Sequence, residues 1–267
     1  MGKILKWIMD RLVVQLILNL FVYFIHWVII ALPLTPAVLF LIWSWRRCFP
    51  TGELSFASAF QFSLSVMIAY FIFIVCGVVV FGVFIRILSL GFKEGKYDQL
   101  SWTMIRWLIL SGINNFACDA ILPQIVVSPF LNAFYILVGC KMGKDVRINT
   151  PSLYDSYLLE LGDNVVLGGK ATLTCHIFER GRLVLKRIKI GRNCVVGAHA
   201  YIHPGVVMED NSAVGVYAMV PKDATIQSKT VHGHLPALPY RELARLTRFS
   251  KSKSQSSERG GKDGTTE

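Results

Sequence analysis

The chain has 267 residues, 53% hydrophobic and 17% charged, with a mean hydropathy of +0.49 and a formal net charge of +11. Soluble domains carry about 45–50% apolar and about 25% charged residues, and here the apolar excess is concentrated: the stretches between Arg11 and Arg46 and between Glu53 and Arg86 contain no Asp, Glu, Lys or Arg. A wholly soluble or disordered chain is excluded, and acids interleave with bases too evenly for a nucleic-acid stripe, so attraction to anionic lipid accounts for most of the basic excess.

The first apolar run extends from Leu12 to Trp45. It is much longer than the h-region of about 7–15 residues in a cleaved signal peptide, and no A-x-A-like site ends it. As one helix it would be about 51 Å long, against a hydrocarbon core of roughly 30 Å. A span over 12–32 is therefore expected, with Pro33 and Pro36 breaking the helix. The continuation leaves the membrane through Trp43, Trp45, Arg46 and Arg47, an aromatic and basic anchor. His26 and Asn19, uncharged within this span, read as helix–helix hydrogen-bond partners.

The second run, 56–85, is one tilted span. Lys3, Lys6 and Arg11 precede the first span, and Arg86, Lys93, Lys96 and Arg106 follow the second, with only Arg46 and Arg47 between. That distribution places both flanks in the cytoplasm. Residues 120–140 are uncharged but carry Pro123 and Pro129, which favours a broken helical segment at the membrane surface over a third span. Cysteines at 48, 76, 118, 140, 175 and 194 form no CxxC pair; they read as buried thiols, with neither a zinc cluster nor a disulfide framework.

A period of six begins after residue 140. Aliphatic residues fall at Met142, Ile148, Leu161, Leu167 and Leu173. They then run without interruption through Ile190, Val196, Ile202, Met208, Val214, Val220 and Ile226. Gly follows at 143, 162, 168, 191, 197 and 215, and a small or aliphatic residue usually stands four positions on, as at Val165, Ala171, Cys194, Ala200 and Ala218. Such a repeat predicts a solenoid of short strands, each pointing its aliphatic residue into a shared interior. Gly is expected at corners where φ is positive or a neighbouring coil comes close. Three hexads make one triangular coil, so Ile190, Met208 and Ile226 should form a column.

The organisation expected is 1–90 a transmembrane hairpin, 91–140 a helical connector at the membrane surface, 141–228 the solenoid, 229–249 a C-terminal extension and 250–267 a disordered tail. The tail, SKSKSQSSERGGKDGTTE, has no aliphatic or aromatic residue with which to build a core.

The stretch IGRNCVVGAHAYIHPGVVMEDNSAVGVYAMVPKD, 190–223, resembles the hexapeptide-repeat acyltransferases. More narrowly, GKYDQLSWTMIRWLI, PFLNAFYILVGCKMGKDVRINT and LLELGDNVVLGGKATLTCHIFERGRLVLKRIKIG resemble the membrane-bound units at the C-terminus of ε-poly-lysine synthetase and related peptide-synthetase terminal modules. The resemblance covers about 60–230 and implies a left-handed parallel β-helix behind two transmembrane helices, in a homotrimer. It implies transfer of an acyl or aminoacyl group to an amine or hydroxyl, from acyl-coenzyme A or a phosphopantetheine thioester, with no tightly bound cofactor. A carrier protein or peptide synthetase is an implied partner, beside the lipid bilayer; nucleic acid is not. Where the family has a Gly-Asn-Pro-Ala turn after the β-helix, this chain has His232-Gly-His-Leu-Pro-Ala.

The hexad frame breaks between Leu173 and Ile190. In the resembled family a His beside an extruded loop there is the general base, which assigns His176; imidazole meets the need for a base near neutrality. Glu179, three residues on, is the candidate to orient its ring. Arg180, Arg182, Lys186 and Arg187 follow, and stand either as a solvated loop or as a phosphate-holding one. By the same resemblance Lys222, Gly197 and Gly215 would line the coenzyme A groove. His199 occupies the hexad position of His176 and, with His203, reads as a packing or subunit contact. Two rival functions remain: a non-catalytic trimeric membrane scaffold, and a zinc lyase of carbonic-anhydrase type, for which the His199/His203 spacing is four where five is expected. No metal site is expected.

Overall fold

The computed structural model describes residues 2–50, 55–98, 101–233 and 238–239. Helices α1 (Gly2–Cys48) and α2 (Phe56–Ser89) pack as an antiparallel pair, joined near their loop by a Ser44–Ser65 hydroxyl bond of 2.5 Å and an edge-on contact of Trp45 with Phe62. Both are long and apolar enough to cross a membrane. Their outward side chains are apolar too: Phe24, Trp27, Leu39, Met67 and Phe71 are 62–69% exposed.

Pro33 and Pro36 do not break α1, contrary to the expectation from sequence; the helix continues through them to Cys48. Each proline removes one ladder bond, and apolar helices tolerate this when neighbouring helices and Thr hydroxyls re-satisfy the backbone. Between the two prolines, whose missing N–H groups leave the Ile29 and Leu32 carbonyls without ladder donors, the Thr35 hydroxyl adds a bond to the Ala31 carbonyl at 2.8 Å.

A short strand, β1 (Gly95–Asp98), precedes α3 (Trp102–Phe116), capped by the Ser101 hydroxyl. α3 joins the two halves of the molecule. His26 of α1 donates from Nε2 to the Ile109 carbonyl at 2.8 Å, and its ring rests on Gly112, where a Cβ would lie 2.0 Å from the ring. Arg106 donates to the carbonyls of Leu88 and Leu90, closing the end of α2. Buried Met104, Trp107, Leu110 and Ile113 face a core that runs unbroken into the solenoid. A π-helical turn (Ala117–Ile121) and a 3-10 turn (Leu122–Ile125) lead to α4 (Pro129–Val138), which buries Leu131, Phe134, Tyr135 and Val138.

The solenoid strands are β2 (Lys141–Met142), β3 (Arg147–Ile148), β4 (Leu153–Tyr154), β5 (Leu159–Leu161), β6 (Val166–Leu167) and β7 (Thr172–Thr174). After a hairpin, β8 (His176–Glu179) and β9 (Arg182–Leu185), they resume as β10 (Ile188–Ile190), β11 (Val195–Val196), β12 (Tyr201–Ile202), β13 (Val207–Met208), β14 (Ala213–Val214), β15 (Met219–Val220), β16 (Thr225–Ile226) and β17 (Val231–Gly233). They stack in three parallel sheets, β2-β5-β10-β13-β16, β3-β6-β11-β14-β17 and β4-β7-β12-β15. This is a left-handed parallel β-helix. Ile190 pairs with Met208 and Met208 with Ile226, the column expected from the 18-residue coil. A last strand, β18 (Leu238–Pro239), folds back antiparallel on β17. The tail from 250, and most of the extension before it, lie outside the described residues.

Of the two roles expected for Gly at the corners, close approach holds and positive φ does not. Positive φ falls three residues after the inward aliphatic residue, at Asp145, Asn164, Asn193, Asn211 and Asp223 among others, and not at the Gly that follows it. Asn and Asp tolerate this left-handed conformation. Three of the asparagines also form a ladder, Asn164 to Asn193 to Asn211, at 3.1 Å each. The Gly positions serve close stacking: a Cβ on Gly197 would lie 2.5 Å from the Gly215 carbonyl carbon of the next coil.

Candidate active site

Two irregularities in the repeat, not one, build the site. The hairpin β8–β9 interrupts it after Leu173. It turns through Arg180 (φ +50) and Gly181 (φ +75), the two positive-φ residues of a type I′ turn. It is not a free loop, because β1 adds to it as a third antiparallel strand, Gly95 beside Leu185 and Asp98 beside Arg182. The other irregularity lies between Ile148 and Leu161, which are one residue further apart than two hexads. Leu153 takes the inward position, pairing with Leu173. Asp155 then adopts φ +54 and starts a 3-10 turn, Ser156–Leu158.

These segments meet at His176. Asp155, its side chain only 2% exposed, bonds the imidazole Nδ1 through Oδ2. Its other oxygen accepts from Trp107 Nε1 at 2.8 Å and from the Tyr157 hydroxyl at 3.0 Å. A buried carboxylate is tolerated when paired and hydrogen-bonded in this way. Burial and the adjacent Asp155 carboxylate hold the Tyr157 phenol well above its ordinary pKa, so it remains a donor. Thr174 Oγ1 lies 3.2 Å from His176 Nδ1, and the Trp107 ring stands edge-on to the imidazole, centroids 4.9 Å apart. With Nδ1 engaged by the carboxylate, Nε2 carries the free lone pair. The ring is 24% exposed and lines a cavity of about 380 Å³ shared with Ser111, Asn115, Asp119, Tyr154, Thr174 and Tyr201.

Glu179 does not orient this ring. It sits at the far end of β8 and pairs with Lys222, whose ammonium holds its carboxyl below the ordinary range. Lys222, expected in a donor groove, thus meets the tip of the hairpin. Of the basic run, Arg182 pairs with Asp98 at 2.8 Å, Lys186 with Asp223 at 2.6 Å and Arg187 with both Glu94 and Glu160. Arg180 and Arg182, with Lys96 and Glu179, line a second cavity of about 750 Å³. Gly197 and Gly215 stack on one another as described.

His199 shares no environment with His176. It is exposed, takes φ +55 at a coil corner and stacks on Tyr217, centroids 4.7 Å apart, whereas His176 begins a strand leaving the coil. His203 lies against Tyr201, and burial lowers its pKa. Asp155, Trp107 and Tyr157 escape sequence reasoning. The one signal for Asp155 is the extra residue between Ile148 and Leu161; nothing in the sequence points Trp107 at it.

The repeat described as "Hexapeptide repeat of succinyl-transferase" matches residues 187–216. Delta-poly-L-ornithine synthetase of Acinetobacter baumannii is 28% identical over 152 residues, 57% of this chain and 11% of that protein. Galactoside O-acetyltransferase of Escherichia coli is 31% identical over 99 residues, 34% of this chain and 48% of that protein. This chain therefore spans about a tenth and about half of the length of these curated relatives. A solved galactoside acetyltransferase in complex with coenzyme A covers 55% of this chain and 85% of its own at 20% identity, with a TM-score of 0.42. Three stacked parallel sheets of two- and three-residue strands, broken once by a hairpin, define a hexapeptide-repeat β-helix protein. With the sequence relatives beside that architecture, the chain is similar over its β-helix to the hexapeptide-repeat acyltransferases.

Proposed function

We propose that this chain is a membrane-embedded acyltransferase that moves an acyl or aminoacyl group from a thioester, coenzyme A or carrier-bound, to an amine or hydroxyl. The observation that carries the reading is the His176–Asp155 pair at the mouth of a cavity. A scaffold has no use for a buried carboxylate aimed at an imidazole. In the reaction, Nε2 of His176 takes the proton of the acceptor as that attacks the thioester carbon. The C–S bond breaks, and the proton passes to the departing thiolate. Asp155 holds the ring and stabilises the imidazolium that forms, with Trp107 and Tyr157 fixing the carboxylate.

The basic cavity at the hairpin tip, with Lys96, Arg180 and Arg182, suits the phosphates of the donor. α1 and α2 form the membrane anchor, with both flanks and the β-helix in the cytoplasm, where thioesters are available, and the working unit is a homotrimer. Thiol release from a panel of acyl-coenzyme A and carrier-bound aminoacyl donors tests the chemistry. Wild type should release thiol in an acceptor-dependent way, and His176→Ala should not. Equal turnover by the variant would move the base elsewhere.

A further inference from the structure

Two polar residues stand in the first apolar run, Asn19 and His26. Asn19 is exposed on α1, whereas His26 is half-buried against α3. A polar side chain at membrane depth is costly without a partner, and the partner of His26 is unusual. The Ile109 carbonyl lies inside α3, where the helical ladder already supplies a donor from four residues on. The imidazole bond thus meets no unmet need of that helix; what it adds is a fixed separation between α1 and α3. Gly112 makes the approach possible, since a Cβ there would fall 2.0 Å from Cε1 and 2.4 Å from Nε2 of the ring.

α3 is held by the long helices at two points that bracket Trp107. One residue before it, Arg106 donates to the Leu88 and Leu90 carbonyls at the end of α2. Two residues after it, Ile109 takes the bond from His26 of α1. At about 100° per residue, Trp107 lies about 160° around the helix from Ile109 and about 140° from Gly112. Its indole leaves α3 on the side turned away from His26, where it donates to Asp155 at 2.8 Å and stands edge-on to both His176 and Phe178. Trp107 is only 5% exposed, so the ring follows its helix and has no room to re-aim.

We propose that His26 is a positioning residue for acyl transfer: from α1 it fixes α3 at the height at which the Trp107 indole holds Asp155, and Asp155 in turn holds His176. α1 then belongs to the machinery that sets the base, and is more than an anchor. The kinetic part of this role rests on the acyl-transfer reading; the bond from Trp107 to Asp155 is observable without turnover.

Indole N–H resonances of the full chain in detergent, with that of Trp107 assigned through Trp107→Phe, report this bond directly. His26→Leu should move the Trp107 resonance upfield, as weakening of a bond to a carboxylate does. It should also lower kcat about three- to tenfold, the scale of one interhelical hydrogen bond, while KM for the donor holds. His26→Gln, whose amide N–H has a reach similar to that of Nε2, should return both towards wild type. Gly112→Ala attacks the same contact from the other helix by evicting the ring, and takes the place of His26→Leu if that variant fails to fold; where both fold, their effects should not add. Asn19→Leu, a comparable loss of polarity at an exposed position of α1, should change neither readout. An unmoved Trp107 resonance in folded His26→Leu or Gly112→Ala, or a loss that His26→Gln does not restore, overturns the proposal. A wild type that transfers no acyl group, while His26→Leu still moves the resonance, would sink the transfer reading and leave the coupling of α1 to Asp155 standing.

Discussion

The uninterrupted coils from Ile188 to Ile226 and the irregular region made by Asp155, the hairpin and α3 are built on opposite principles. In the coils a residue's place in the hexad fixes much of its environment: the aliphatic position is buried, the next is Gly where coils press together, as at Gly191 and Gly197, and the residue three after the aliphatic one takes positive φ. In the irregular region no position repeats, and the polar groups around His176 (Asp155, Trp107, Tyr157 and Thr174) each have individual partners. Repetition supplies a stiff wall, and the places where it fails supply the chemistry. The two also fail differently: substitution in the coils should cost stability, and substitution in the irregular region should cost turnover.

The sharpest way to break that comparison is at His176. His176→Ala should lower transfer by roughly 10²–10⁴-fold and leave the fold and the oligomer intact, its stability cost limited to the bond lost at Asp155, whereas His199→Ala, on a coil corner, should leave transfer unchanged. A collapse of the fold in His176→Ala would make it a structural residue and erase the distinction.

The converse test is Ile202→Ala. This side chain is wholly buried in the stack, and its truncation should cost about 2–5 kcal/mol in denaturant unfolding. Gly197→Ala should cost about 1–3 kcal/mol by forcing two coils apart. A loss of thiol release without a loss of stability would mean that the coils, too, carry chemistry.

Trp107→Phe sharpens the boundary. It keeps the ring and removes one bond to a buried carboxylate, a loss of about 1.5–3 kcal/mol for a charged partner. That loss should lower kcat by about tenfold or more while KM for the donor holds, and Trp107→His, which restores a ring N–H, should recover part of it. The smallest effect is expected at the hairpin edge. Arg182→Ala breaks an exposed pair with Asp98 and should change stability by about 0.2–1 kcal/mol, less at high salt.

The carboxyls of Glu179 and Asp210 behave alike with pH. Lys222 holds the first below its ordinary value, and the backbone N–H and guanidinium of Arg192 hold the second there. Each contribution is complete above the ordinary carboxylate range and fades as the pH falls through the depressed values. Acid titration of the melting temperature should lose the Glu179 part in Lys222→Met, keeping the Asp210 part, and retain both in Lys229→Met.

The coil interior was legible in the sequence because a solenoid forces its periodicity on the chain: Ile190, Met208 and Ile226 lie in register as their spacing requires. His176 was legible as the residue where the period stops. Asp155 was not, because a single extra residue displaces the frame without announcing a turn, and Glu179 stood nearer in the sequence. Along a strand, neighbours three apart point to opposite faces, so Glu179 cannot curl back to His176. It is a distant segment that reaches the imidazole. The continuity of α1 through Pro33 and Pro36 escaped for a related reason: the cost of a proline depends on what surrounds the helix, which local sequence does not state.

The pairing of β1 with β9 has a practical consequence. The strand that edges the hairpin comes from upstream of the first coil, between α2 and α3. A soluble fragment beginning at Lys141 would keep every hexad yet leave β9 as an open edge, with its main-chain donors and acceptors unpaired and prone to self-association. It would also lack the indole that holds Asp155. Cutting the chain at its first hexad would thus dismantle the very corner that such a fragment was meant to preserve, so the smallest piece expected to retain this corner begins ahead of Gly95.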